Sequence, residues 1–179
     1  MTPIQNLFIS QGFRVFFTIF VLFFIHIPLF FKVILIIISD FFNNCIPLRK
    51  IFPDWVDPNT EIYQISDKIT DLVTYYILFI YLFRYRYLER KENLILFLLL
   101  FYRSIGEIVF FITKERKTLV FFPNFFLEIS LLFIGMKYFN LSKKYLPFFI
   151  ILIILWKIAQ EYYLHFYKVK KYEKTNHNL

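Results

Sequence analysis

The chain is short of the residues that cross-link a fold or let helices touch backbone to backbone: of 179 residues, one is cysteine and three are glycine. A single thiol, Cys45, excludes an intrachain disulfide and leaves the redox compartment open. No His/Cys cluster has zinc spacing. Gly12, Gly106 and Gly135 are joined by one alanine, Ala159, so pairing of helices through small-residue stripes is scarcely available. Charged residues make up 19%, against about a quarter in soluble domains. No internal repeat is present, so the inverted-repeat transporter plan has no support. Ser104 lies beside Arg103 without an evident histidine partner, and a hydrolytic triad is not expected.

What the chain has in quantity is apolar and aromatic surface. Hydrophobic residues are 59% and aromatics 23%, with 27 Phe and 13 Tyr. Part of this skew follows A/T-rich codons, so single aromatics are not assigned roles. The Tyr-rich stretch around Tyr75, Tyr76, Tyr81, Tyr85 and Tyr87 reads as an interfacial belt. The net charge of +8 comes mostly from clusters beside apolar blocks, such as Arg84, Arg86, Arg90 and Lys91. Cations in that position meet anionic headgroups. Nucleic acid is not an expected partner, because a basic face needs a soluble module to carry it.

The blocks predict an all-α, polytopic integral membrane bundle of about five transmembrane helices in a single membrane domain. The expected spans are 13–38, 67–88, 94–112, 119–138 and 146–167, with a polar connecting segment 39–66 and a basic tail 168–179. The first block is too long for a signal-peptide core and lacks a basic leader, so it reads as a retained span kinked at Pro28. Cys45 to Val56 has the amphipathic character of an interfacial helix, with Trp55 suited to headgroup depth. Pro123 is expected in the first turns of the fourth span.

Counting Lys and Arg by side places Arg14, Arg84, Arg86, Arg90 and Lys91 together on one side. The C-terminus then falls on the slightly more basic, cytoplasmic side. The sequon Asn140-Leu141-Ser142 agrees with that orientation.

Ionisable residues inside the blocks carry the functional reading. Each costs about 2.5–3.5 kcal/mol near the bilayer centre unless it is paired, wet or at work. Four i,i+4 pairs recur: Asp67/Asp71, Arg103/Glu107, Asn124/Glu128 and Lys157/Glu161. On helices each pair shares one face. With direction taken into account, the pairs converge on one half of the membrane and predict a polar pocket. Its expected members are Arg103, Asn124, Lys157, Gln160 and His165, with Glu107, Glu128 and Glu161 as candidate acid and base groups. His26 is the other histidine near a span. The expected partners are the lipid bilayer and a lipid-like ligand; no cofactor is indicated.

The acids Asp67, Asp71, Glu107, Glu128 and Glu161 outnumber Arg103 and Lys157 in this set. Raised carboxylate pKa values, a bound cation or Lys32 would balance them. The competing reading is that the charges are interhelical glue, pairing Arg103 with Glu128 or Lys157 with Glu107.

Asp67-Lys68-Ile69-Thr70-Asp71 places two carboxylates on one face, a pair able to hold Mg²⁺. It is similar to half of the metal motif of CDP-alcohol phosphatidyltransferases; the Asp-Gly and Ala-Arg elements of that motif are absent. The acidic bundle as a whole loosely resembles small proteins of the emopamil-binding, sterol-isomerase type, although no motif carries that likeness. An intramembrane enzyme, a binding or transport protein, and a structural subunit all remain open at this level.

Overall fold

The computed structural model describes residues 2–43, 56 and 60–163, which form helices and short connectors with no strands. The expected all-α class holds. Among the described residues four elements are long and apolar enough to cross a bilayer: Pro3–Phe23, Arg90–Thr113, Arg116–Tyr138 and Lys143–Tyr162. The described residues fall into two compact units, Met1–Asn93 and Leu94–Leu179.

In the first unit, helix α1 spans Pro3–Phe23 and starts ten residues before the expected boundary. The cause is local. Thr2 Oγ1 accepts from Gln5 N–H, Gln5 Oε1 accepts from Thr2 N–H, and Pro3 occupies the first turn. This reciprocal cap satisfies donors that would otherwise be orphaned.

Pro28 does not kink a continuous span. Residues 24–28 leave the helix, and α2 begins at Leu29 and runs to Asn43. Proline cannot donate within a helix and pushes its predecessor out of helical geometry. Here the Pro28 carbonyl accepts from Phe31 and Lys32 N–H and opens the new helix instead. His26, expected inside a span, is exposed in the connector.

Helix α3 spans Glu61–Arg84. It is long enough to cross a bilayer, but Glu61, Asp67, Lys68 and Asp71 crowd its first half, and it is not among the four apolar elements. It lies beside α1 in parallel. Leu7 joins Tyr63 and Val56 in one buried cluster, Arg14 meets Asp67 and Asp71, and Phe23 packs edge-on to Tyr81 with ring centroids 5.3 Å apart. The contacts rise together along both helices. The N-terminus therefore lies at the Glu61 end of α3, not at the Arg84 end where the charge count had placed it. The interfacial helix expected at 45–56 lies outside the described residues except for Val56.

In the second unit, α4 spans Arg90–Thr113 and buries the stripe Leu96, Leu100, Arg103, Gly106, Glu107 and Phe110. The expected fourth span is broken. A 3₁₀ helix, Arg116–Phe121, is followed by irregular residues and then by α5, Phe126–Tyr138. Pro123 sits in the break, not in a helical first turn. Helix α5 alone reaches about 20 Å; with the 3₁₀ turn the element approaches the roughly 30 Å of a hydrocarbon core. After a short 3₁₀ turn, Lys143–Tyr145, helix α6 runs from Leu146 to Tyr162.

Candidate functional site

Among the described residues, the buried charges other than Lys32 form two networks, one in each unit. In the first unit the periodicity of α3 turns Asp67, Thr70, Asp71 and Thr74 onto its buried face. Arg14, at mid-length of α1, reaches them with both terminal nitrogens: Nη1 donates to Asp67 Oδ1 at 3.2 Å and Nη2 to Asp71 Oδ1 at 2.8 Å. Lys68 closes the other side, with Nζ 2.9 Å from Asp67 Oδ2 and 3.1 Å from Asp71 Oδ2. All four carboxylate oxygens thus accept from a cation. Side-chain exposure is 5% for Arg14, 13% for Asp67 and 7% for Asp71. A planar guanidinium suits this two-carboxylate geometry better than a point charge.

The sequence reading placed Asp67 and Asp71 at a helix start, as a pair for Mg²⁺. The structure seats them well inside α3, and a divalent cation there would have to displace Arg14 and Lys68. Among the described residues no group of three or more His, Cys, Asp or Glu side chains is arranged to hold a metal ion. The counting of charge also changes. Arg14, which had been counted on a flank, and Lys68 balance the two aspartates. Lys32 is not needed for that; its Nζ donates to the Leu22 carbonyl at 2.7 Å and lies 5.6 Å from the Tyr81 ring centroid. It thereby caps the C-terminal end of α1, where carbonyls lack helical partners and a cation is favourable.

The second network surrounds the break before α5. Arg103 Nε donates to Glu107 Oε1 at 2.9 Å, and its Nη1 donates to the Phe122 carbonyl at 2.7 Å. Tyr102 Oη donates to the carbonyl of Phe121. Glu161 Oε1 accepts from the backbone N–H of Asn124 at 3.2 Å. Between them Pro123 has no N–H to satisfy. The backbone of the break is thus served by side chains from α4 and α6, as irregular backbone away from water requires. Gly106 makes the approach possible, since a Cβ there would run into the Phe122 side chain.

Lys157 completes the set. Its Nζ donates to Glu128 Oε1 at 2.6 Å and to Gln160 Oε1 at 3.2 Å. Glu128 lies in the first turn of α5, where a carboxylate is favoured by the helix dipole. Of all residues in α6, only Lys157 and Glu161 are buried.

Within this unit the structure brings together most of the expected pocket: Arg103 with Glu107, Lys157 with Glu128 and Gln160, and Asn124 with Glu161. The pairs differ from the expected Arg103–Glu128 and Lys157–Glu107. Asn124 also precedes α5, so Asn124/Glu128 is not a helical pair. His165 lies outside the described residues. Sequence reasoning missed Arg14 and Lys68; the signal available for Arg14 was the Thr2–Gln5 cap, which moves the residue from a flank to mid-helix.

A cleft of about 600 Å³ opens elsewhere, between α1 and α3, and none of the expected pocket residues lines it. No protein-family model matches the chain, and neither the curated proteins nor the solved structures searched give a match.

Proposed function

We propose that this is a multi-pass integral membrane protein of structural or assembly type, whose intramembrane charges tie helices together in place of small-residue packing. The observation that carries this reading is α6: it buries just two residues, both charged, and each meets a partner on the segment 124–128. Polar ties of this kind contribute about 0.6 kcal/mol on average and up to roughly 1.7 in a bilayer. Glu107, Glu128 and Glu161 each accept through Oε1 from a donor that also holds the fold. The balance of Lys and Arg keeps the C-terminus in the cytoplasm, since Arg14 and Lys68 leave the count one from each side.

Trp156 precedes Lys157 and reports on α6. In a Trp55→Phe background it is the sole tryptophan, since the chain has two. Lys157→Met should lower the Trp156-detected melting temperature of the purified protein, and Lys157→Met with Glu128→Met should recover most of the loss. Charges retained for catalysis instead cost stability. A rise in melting temperature on Lys157→Met would therefore replace the structural reading with a catalytic one.

A further inference from the structure

Helix α1 carries a ridge with a gap in it. Ile4, Phe8, Gly12, Phe16 and Phe20 follow one another at steps of four, and all five are exposed. Four of them are large. Gly12, near the midpoint of the helix, is not, and a Cβ added there meets no atom within 4 Å. Rows at i±4 are the ridges that one helix packs into the grooves of another. A glycine in mid-row is where two backbones can cross closely.

The cleft of about 600 Å³ opens beside this gap. Phe8, Gly12 and Val15 line it from α1, and Ile62, Ser66, Ile69 and Val73 from α3, at helical spacings of three and four. Because the two helices are parallel, the cleft is a groove that runs along both, the form that receives a further helix. Ser66 sets its chemistry. Thr18, Thr70, Ser104, Thr113 and Ser130 each donate to the carbonyl four residues back in their own helix. The half-buried Ser66 hydroxyl makes no such bond among the described residues. An acyl chain offers it nothing. A helix with a glycine on its face offers a backbone carbonyl whose second lone pair no side chain covers.

This chain has such a helix at the matching depth. Leu7 lies beside Tyr63, and Arg14 beside Asp67 and Asp71, so Ser66 stands level with the turn of α1 from Phe8 to Gly12. Two copies inserted the same way are related by a two-fold axis along the membrane normal, which sets equal depths opposite each other. We propose that this face is a homodimer interface, in which α1 of two copies cross at Gly12 and Ser66 of each copy donates to the Phe8 carbonyl of the other. The inference rests on the membrane placement proposed above and gives the assembly role a partner.

The test uses the full-length protein in a Cys45→Ser background, reconstituted into liposomes. Oxidation should convert Gly12→Cys into a disulfide-linked dimer, since the bond needs Cα atoms within about 7 Å. Phe13→Cys, exposed but about 100° round the helix, should cross-link at least tenfold less. In detergent, Gly12→Leu should raise the dimer dissociation constant tenfold or more by sedimentation equilibrium, with helix content unchanged. Ser66→Ala should raise it about threefold, the usual worth of a hydrogen bond between helices in a bilayer.

Gly12→Cys that stays monomeric on oxidation overturns the proposal. So does equal cross-linking of Phe13→Cys, which marks random collision, or a Gly12→Leu variant that associates as the parent does. Phospholipid retained at one per monomer, with no dimer, gives the cleft to a lipid instead. All of these outcomes leave the membrane placement intact when the protein resists carbonate extraction. Release by carbonate removes the placement and the dimer together.

Discussion

Arg14 is a single cation holding two buried carboxylates, and its removal would leave Asp67 and Asp71 with only Lys68 between them. Losing one partner of a buried ion pair costs about 3–5 kcal/mol, most of it the desolvation of the charge left behind. Arg14→Leu should therefore destabilise the detergent-solubilised protein by about that amount, as read from SDS-induced unfolding. Arg14→Leu combined with Asp71→Leu should recover most of it, because Asp67 and Lys68 then remain as a balanced pair. Failure of this double variant to recover would mean that Arg14 has a role other than neutralising these acids. Half of this site was legible in the sequence. The i,i+4 spacing of Asp67 and Asp71 gave their shared face correctly. Their partner was not found, because the onset of hydropathy put Arg14 at a flank, and hydropathy does not register a helix start set by the hydrogen bonds of Thr2 and Gln5. Lys68 escaped for a similar reason: a lysine between two aspartates reads as a solvated mouth unless the preceding turn is known to be helical.

At the level of elements, the break before α5 separates two kinds of glue. If Arg103 merely neutralised Glu107, removing both charges would restore stability, as expected for the Arg14 site. Arg103 also satisfies the Phe122 carbonyl, and no side-chain change at position 107 replaces that donor. Arg103→Leu should cost about 3–5 kcal/mol. The double variant with Glu107→Leu should recover only part of this, leaving a deficit of about 1–3 kcal/mol for the orphaned carbonyl. Full recovery in the same unfolding assay would show that the break needs no donor from α4. Gly106→Ala probes the same contact by shape. Its methyl group would displace Phe122, and with it the carbonyl that Arg103 holds, so the melting temperature should fall although alanine is the better helix former. A rise would contradict the close approach. The sequence marks the place with Pro123 but does not say whether proline opens a helix or interrupts one. That depends on donors and acceptors from Tyr102, Arg103 and Glu161, which lie about twenty to forty residues away in the chain and become neighbours only in the fold. The Lys157/Glu161 stripe, by contrast, was readable, because α6 is an uninterrupted helix and spacing alone decides which of its residues share a face.

At the scale of the whole molecule, the parallel pairing of α1 and α3 fixes a topology that hydropathy cannot. A single kinked first span would put the N-terminus and the Arg84–Lys91 region on the same side of the membrane. With Pro28 ending one helix and α2 turning back, the N-terminus and the Glu61 end share a side, and the turn at 85–89 lies opposite. Helix α3 gains from this arrangement. Its four charged residues in the first half oppose unaided insertion, and Arg14 arrives on a helix apolar enough to cross alone. Single cysteines at Ile4 and at Tyr85, both exposed positions, can be introduced into a Cys45→Ser background and probed in sealed vesicles with a membrane-impermeant maleimide. Ile4→Cys and Tyr85→Cys should label from opposite sides. Arg14→Leu should abolish the distinction, because α3, left with two aspartates and only Lys68 to balance them, would no longer hold a fixed orientation. If both cysteines label from one side in the unsubstituted background, α1 and α3 do not cross together. The ion-pair square would then need an environment other than the hydrocarbon of a bilayer.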